Sequence, residues 1–374
     1  MMLESLNQWD PGFFSEVVDL RNELIARVHG SLRASLSDYE ILLGPYRAFN
    51  RNHEWRFWGL RGPGGRLVGT IMASRPKDHW PSERFVPVGF FDCADDVEAA
   101  RTLFAEAEVW ARARGHAEIR GPIQGSFFHS YRLRLPGGGE PFYGEPVCPD
   151  YYHRLFAAAG FKESSRWKTI LVPHADELEK VRQMLAKLER EGKRSDLRIR
   201  NVSPRDWDRE LSLIHSMLSE SFSSMPEYMP ASLDEFREWY ADFKHIIRKE
   251  LSFVVEAAGR PVGFMIAYFD PLPAIRAAAG SRAPWRKILA LWRIRRARGR
   301  LLVPYVGKLP SAEKIKGVLP AITVQLAKAL ERHPRDYYAC YLAPDSPTYG
   351  AVPPTYTVHA EYVLYAKSLA SKLP

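Results

Sequence analysis

The chain has 374 residues, of which 46% are hydrophobic and 12% aromatic, so it carries the apolar content of a folded protein and not that of a disordered one. It is longer than one core usually holds, and we expect two domains of about 150–200 residues each. The net charge of +9 is moderate, and the three cysteines lack the spacing of a zinc site or a disulfide framework.

The sequence also lacks membrane, export and metal-binding signals. No window approaches the roughly 18 uninterrupted apolar residues of a membrane-spanning helix, and the acidic, aromatic start does not read as a signal peptide. The histidines show no paired spacing such as HExxH, so no metal chemistry is expected. A cytoplasmic protein in a reducing compartment is the simplest expectation.

The first half of the chain alternates helix and strand signals. The predicted elements are a helix at 13–29, a hairpin at 54–60 and 66–74, a strand at 85–93, a helix at 96–114, a strand at 117–123, a short helix at 151–159 and a strand at 165–172. Asp95, with Glu98 three residues later, is predicted to cap the helix at 96–114, and Gly115 to end it.

The second half repeats this order after a charged amphipathic helix at 175–191 and a polar segment. Its predicted elements are a strand at 197–202, helices at 206–221 and 233–248, a hairpin at 252–269, a basic insertion at 271–300, a strand at 301–309, a helix from 318, and strands at 337–342 and 360–367. The repeat predicts two mixed α/β sheets built by duplication. We therefore divide the chain into domains at 1–173 and 197–374, with a linker helix at 174–196.

The segment 301–332 has the features of an anion site. An apolar, β-favouring run leads into a loop that holds Lys314, Lys316 and Gly317, and a helix is predicted to begin near Val318. The free N–H groups and the positive dipole end of such a helix attract anions. A plain strand–loop–helix connection, with lysines for solubility, is the alternative.

Short motifs recur along nearly the whole chain. They lie at 65–71, 88–91, 95–96, 107–110, 120–122, 151–152 and 160–161, at Gly263, at 299–301 and at 314–319. Their order resembles that of the GNAT superfamily of acyltransferases, and more narrowly a bacterial two-domain family of uncharacterised GNAT-like proteins. The resemblance implies tandem GNAT-like folds of the mixed α/β class.

The same resemblance implies an acyl thioester cofactor, either acetyl-CoA or a longer acyl-CoA. The family's glycine-bearing cofactor loop aligns with Lys314, Gly317 and Leu319, and the strand before it supplies backbone donors. The predicted cofactor-binding residues are Val306, Gly307, Lys308, Leu309, Lys314, Lys316, Gly317, Val318 and Leu319. The corresponding loop of the first half, at 92–98, has acids and no glycine, and we predict that this half is a structural or substrate-shaping partner instead.

In the GNAT mechanism that the resemblance implies, an amine attacks the thioester directly, with a base for the amine and an acid for the thiolate. The family's acid is a tyrosine after the fifth strand, and Tyr356 and Tyr349 lie in that stretch. Packing is the alternative role for both. Asp345 could orient the amine or belong to an ordinary turn. Glu227 and Glu256 are further carboxylates, for which the sequence gives no geometry.

The insertion at 271–300 is basic and contains no acid. Nine arginines and lysines, from Arg276 to Arg300, are interleaved with apolar residues such as Trp285 and Trp292. The pattern fits a helix on an anionic membrane surface, a site for an acyl carrier protein, or a contact with tRNA phosphates. A solvated helix that covers its own domain is the fourth reading. No RNA- or DNA-binding signature accompanies the charge, so a carrier protein or a membrane is favoured over nucleic acid.

The hypothesis from sequence is an N-acyltransferase that moves an acyl group from acyl-CoA, or from a carrier protein thioester, to a small-molecule or peptide amine. One rival is a non-catalytic binding protein, which Leu319 favours because it replaces a small residue of the family loop. The other is a relative of the aminoacyl-tRNA-dependent transferases, which the basic insertion favours.

Overall fold

The computed structural model describes residues 1–28, 33–78, 85–190, 196–278, 284–296, 298–346 and 348–369. The strands within these ranges are β1 (Met2–Leu6), β2 (His53–Arg61), β3 (Leu67–Pro76), β4 (Val86–Cys93), β5 (Glu118–Gly121), β6 (Leu133–Arg134), β7 (Lys162–Val172), β8 (Arg198–Asn201), β9 (Phe253–Ala257), β10 (Arg260–Phe269), β11 (Leu301–Lys308), β12 (Tyr337–Leu342) and β13 (Thr357–Ser368).

The helices complete the mixed α/β fold that the sequence predicted. They are α1 (Pro11–Ala26), α2 (Leu36–Leu43), α3 (Ala48–Asn52), α4 (Val97–Arg112), α5 (Tyr152–Ala158), α6 (His174–Arg190), α7 (Trp207–Phe222), α8 (Leu233–Tyr240), α9 (Leu272–Ala278), α10 (Pro284–Arg295), α11 (Val318–Arg332) and α12 (Thr348–Ala351). None of the helices in the described ranges is long and apolar enough to cross a lipid bilayer.

The strands of both halves form one hydrogen-bonded sheet. Their order is β1-β2-β3-β4-β5-β13-β7-β12-β11-β10-β9-β8, and β6 pairs with β13 beside this path. The prediction of two separate sheets is therefore wrong. The physical reason is an exchange of closing strands: β13, from the end of the chain, lies between β5 and β7, and β7 continues the sheet into the second half by pairing with β12.

The cap of α4 differs from the prediction by one residue. Asp96, not Asp95, is the N-cap, and its carboxylate accepts hydrogen bonds from the N–H groups of Glu98 and Ala99 at 2.9 and 3.1 Å. Asp95 instead forms an ion pair with Arg154. Because Asp96 has the extended backbone of a capping residue, its side chain reaches the first turn of the helix.

The core of the second half includes side chains from both halves. Phe127 and Trp167, from the first half, belong to the same buried cluster as Phe264 and Leu330. Helix α11 lies close against the sheet because β10 has a glycine at 263, where an added Cβ would lie 2.5 Å from Val318 Cγ1. This close packing fixes the N-terminus of α11 beside the end of β11.

Candidate active site

Strands β11 and β12 separate in the middle of the sheet. They pair in parallel only at Leu301↔Tyr337, Leu302↔Tyr338 and Val303↔Ala339. Beyond these pairs β11 stays bonded to β10 as far as Lys308, and β12 stays bonded to β7 as far as Leu342. The next residue of β11 is Pro304, which has no N–H to donate to a ladder. The two strands therefore enclose an open cleft.

The cleft opens into a cavity of about 1750 Å³. Its walls come from both halves: residues 127–132 and 164–167 from the first, and 303–310, the start of α11 and 339–346 from the second. Aromatic side chains are frequent among them. A large, mostly apolar cavity with a few polar groups is typical of a small-molecule site.

Most of the predicted site residues lie at this cavity or beside it. The predicted residues that line it are Val306, Gly307, Lys308, Leu309, Leu319 and Asp345. Lys314, Lys316, Gly317 and Val318 lie in the adjoining loop and the first turn of α11. The Lys308 ammonium donates a hydrogen bond to the Glu313 carbonyl at 2.5 Å and so closes this loop.

The N-terminus of α11 has the geometry of an anion cradle. Gly317 is its N-cap, with φ at 83° in the left-handed region that glycine adopts readily. The N–H groups of Val318 and Leu319 have no acceptor within the helix, because they belong to its first turn. Lys314 and Lys316 are exposed on the same loop, and neither forms an ion pair within the part of the chain that the structure describes.

Two further backbone donors face the cleft. The Leu309 N–H donates to the Val262 carbonyl at 2.9 Å, so Leu309 faces the neighbouring strand β10. Residues of an antiparallel pair alternate between facing their partner strand and facing away from it. The N–H groups of Val306 and Lys308 therefore point away from β10, into the gap that β12 leaves.

The equivalent gap in the first half is filled by the chain itself. Strands β4 and β5 pair at Val86↔Ile119 and Pro87↔Arg120. Beyond them the Ile123 N–H donates to the Val88 carbonyl at 2.8 Å, and the Gln124 side-chain oxygen accepts from the Phe90 N–H.

Gly89 allows this approach, since an added Cβ would lie 2.0 Å from the Ile123 carbonyl oxygen. At the helix that follows, the Asp96 carboxylate occupies the N–H groups of the first turn. Thus, in the first half, the backbone N–H groups at the strand gap and at the helix N-terminus donate to acceptors within the chain. The corresponding N–H groups of the second half are free within the described ranges.

The predicted catalytic tyrosines lie beside the cavity without lining it. The rings of Tyr349 and Tyr356 are 6.1 Å apart, and both pack against the core of the second half. Burial raises the pKa of Tyr349, and its hydroxyl has no hydrogen-bond partner among the described residues. Asp345 is exposed at the edge of the cavity. The roles assigned to these three residues stay predictions.

The cavity contains polar residues that the sequence did not single out for a role. Glu227 is 4% exposed, lines the cavity and accepts a hydrogen bond from the Ser165 hydroxyl. Tyr305, on β11, lies beside Tyr240, whose hydroxyl donates to the Phe128 carbonyl at 2.6 Å. Burial raises the pKa of Tyr305, so its phenol is neutral. The sequence offered one signal for a role of Tyr305, namely its position on the strand that is predicted to bind the cofactor.

The sequence comparisons found distant similarity to known proteins. No family model matches it. It is 24% identical over 240 residues to a bacterial ceramide synthase of Caulobacter vibrioides (strain NA1000 / CB15N), a match that covers 62% of this chain and 61% of the synthase. This chain therefore aligns with less than two thirds of that relative's own length.

Solved structures match over nearly the full chain. A probable N-acyltransferase from Enterococcus faecalis V583 superposes with a TM-score of 0.54 at 9% identity, covering 99% of this chain and 73% of that one. The chain has a GNAT-like fold. A tandem GNAT protein from the clavulanic acid biosynthesis pathway superposes with a TM-score of 0.50 at 14% identity, over 99% of this chain and 100% of the other. The prediction of a tandem GNAT-like fold is thus confirmed.

Proposed function

We propose that the protein is an N-acyltransferase that moves an acyl group from acyl-CoA to an amine, with the donor held by the second half. The observation that carries the proposal is the cleft between β11 and β12, which opens beside the free N-terminus of α11. The first half has the same strands, but its gap and its helix N-terminus are filled.

The residues around the cleft fit an acyl-CoA. The diphosphate would lie on the N–H groups of Val318 and Leu319, where the helix dipole and the nearby lysines favour negative charge. The backbone N–H groups of Val306 and Lys308 would hold the amide-bearing arm. An added Cβ on Gly307 would meet nothing within 4 Å, so the backbone there is open to a ligand. Bound in this way, the donor supplies the acyl carbonyl that the amine attacks.

Residues of the cavity supply the proton transfers. Glu227 is a buried carboxylate next to the aromatic wall, and we assign it the role of accepting a proton from the amine. Tyr305 lies on the donor strand with a neutral phenol, and can give a proton to the departing thiolate. It joins Tyr356 and Tyr349 as a candidate acid. Asp345, at the edge of the cavity, would attract the amine as it enters.

A long acyl chain or a long-chain acceptor suits this cavity better than two small substrates. The volume of about 1750 Å³ and the aromatic walls offer apolar surface that an acetyl group would leave uncovered. The relative named as a bacterial ceramide synthase, a name that denotes formation of a lipid amide, supports the same assignment.

Calorimetry with acetyl-CoA and palmitoyl-CoA tests the donor site. We expect micromolar binding of at least one of them, tighter for palmitoyl-CoA, and loss of binding in Gly317→Asp, because a carboxylate in the cradle repels the diphosphate. Gly64→Asp is the matched control, since Gly64, like Gly317, has a positive φ, and an added Cβ at Gly64 would meet nothing within 4 Å.

Failure of the intact protein to bind either thioester would contradict the proposal and favour the non-catalytic rival. Binding of tRNA without binding of acyl-CoA would favour the aminoacyl-tRNA-dependent rival. Equal binding by the two aspartate variants would show that the cradle is not the donor site.

We propose that the basic insertion at 271–300 takes part in substrate delivery. Ile294 of α10 packs in a buried cluster with Ile246 and Leu302 of the second half, and Ala290 is also buried, as expected for a helix that covers its own domain. Leu291 and Trp292 are exposed on the same helix, next to the exposed Arg293. Exposed apolar and cationic side chains together favour an anionic lipid surface over an acyl carrier protein.

A further inference from the structure

The cavity wall contains a buried arginine without an anionic partner. Arg132 is 7% exposed and lines the cavity. Its Nε and Nη1 atoms have no hydrogen-bond partner, and it forms no ion pair with any residue in the described ranges. A buried guanidinium is normally matched by a carboxylate or phosphate, because removing the charge from water is costly.

Aromatic rings surround the guanidinium and leave its N–H groups unused. The Arg132 Cζ atom lies 3.7 Å from the ring centroid of Tyr131, 4.1 Å from that of Tyr341 and 4.9 Å from that of Trp167. Cation–π contact stabilises the charge, but it does not satisfy the donors in the guanidinium plane. The side chain is largely removed from solvent, which strengthens any ion pair that forms there.

Neither Glu145 nor Glu227 forms an ion pair with Arg132 in the described structure. Glu145 forms a salt bridge with Arg134 at 2.8 Å and accepts a hydrogen bond from the Tyr362 hydroxyl at 2.6 Å. Glu227 accepts from Ser165. The anion that matches Arg132 must therefore come from outside the described chain.

The backbone holds the arginine in place without help from an ion pair. Arg132 and Tyr341 have φ values of 78° and 59°, in a region that residues other than glycine adopt at a cost. The Arg132 N–H donates to the Pro122 carbonyl at 2.8 Å. Strain of this kind is retained where the surroundings over-determine it, and here it presents the guanidinium to the cavity.

We infer that Arg132 binds an oxyanion, a carboxylate or a phosphate, carried by the acceptor amine. Arg132 contacts Pro122 and Tyr131, and also β7, β12 and β13. Its charge also acts on Tyr305 of β11, but among the described residues we find no contact with the loop at 309–317 or with α11, where the donor diphosphate is placed. The inference rests on the proposed acyl transfer for the identity of its ligand as the acceptor. Arg132 would select amines that carry an acid group over simple amines, because the guanidinium fork pairs with the oxygens of a carboxylate or a phosphate.

Calorimetry with three probes of equal chain length tests the inference: laurylamine, α-aminolauric acid, and the phosphate monoester of aminododecanol. We expect at least one of the two anionic probes to bind the intact protein about tenfold or more tightly than laurylamine. The tighter of the two identifies the oxyanion as carboxylate or phosphate. In Arg132→Met the preference should disappear, whereas Arg132→Lys should recover part of it.

Arg166→Met is the matched control, because Arg166 also lines the cavity but is paired with Glu163 at 2.6 Å, and it should keep the full preference. Equal affinity of the intact protein for the three probes would overturn the inference, as would a preference that survives in both Arg132 variants. Acyl-CoA binding is measured separately, so failure of the donor site leaves the Arg132 result readable.

Discussion

Glu227 is a carboxylate that the sequence does not place at the cavity. It follows α7 in a stretch without a motif, and its partner Ser165 is 62 positions away. Only the passage of β7 into the second half brings the two together. Asp345 is the opposite case: its place just after β12 is a local property, and the structure puts it at the edge of the cavity.

At the residue scale, Glu227→Gln should lower kcat about 10²–10⁴-fold, because an amide cannot accept the amine proton. The measurement is release of free CoA from palmitoyl-CoA with α-aminolauric acid as the acceptor. The Kd for palmitoyl-CoA should not change. Glu256→Gln is the control, since Glu256 pairs with Arg200 away from the cavity. Wild-type kcat in Glu227→Gln would remove Glu227 from the mechanism.

We predict that the stability of the protein depends on pH through His129, which lines the cavity. Burial lowers its pKa to about 4, whereas a histidine in an unfolded chain titrates near about 6.5. As the pH falls, the unfolded state takes up the proton first. The stabilisation is therefore complete above about pH 6.5 and is lost between there and about pH 4.

Urea unfolding at about pH 7 and about pH 5 measures this loss. The free energy of unfolding should fall by about 1–2 kcal/mol more in the intact protein than in His129→Phe. The same pH dependence in both proteins would show that the pKa of His129 is not lowered in the folded state.

At the scale of elements, short sequence signals predict where a helix begins and ends. The helix predicted from Val318 is confirmed as α11, because Gly317 and Pro320 mark its start and Pro334 follows its end. The sequence pattern does not predict β1, α2 and α3, which have five, eight and five residues and are too short for a clear period. The strand at 360–367 was predicted, but alternation sets which face a strand buries and not which strand it joins.

Helix α10 is predicted to bind an anionic lipid surface. Trp292 is 50% exposed, and Trp292→Glu should weaken binding to vesicles of phosphatidylglycerol and phosphatidylcholine several-fold, because it removes apolar contact and adds repulsion. Val109→Glu is the control: Val109 is 60% exposed on α4, outside the basic insertion. Co-sedimentation measures both. Equal binding of the two variants, or no binding by the intact protein, would contradict the membrane route.

At the scale of the whole molecule, the two halves are joined through their closing strands. The last strand of the chain completes the sheet between two strands of the first half, and β7 leads the sheet into the second. The repeat in the sequence predicted the elements of each half but not this exchange, which depends on pairing between residues far apart in the chain. The division at 174–196, where α6 lies, stays a prediction.

The exchange also explains why the cavity draws on both halves. With its own gap filled, the first half contributes walls such as Arg132 and Trp167, and the second contributes the cleft and the helix N-terminus. We therefore propose an asymmetry between the halves, in which the second half holds the acyl donor and the first does not.

Hydrogen–deuterium exchange of the intact protein, with and without palmitoyl-CoA, tests this asymmetry most directly. We predict that palmitoyl-CoA binding slows exchange of the backbone amides at 306–309 and 317–322 and leaves exchange at 90–99 unchanged. Protection at 90–99, or none at the start of α11 under saturating thioester, would contradict it.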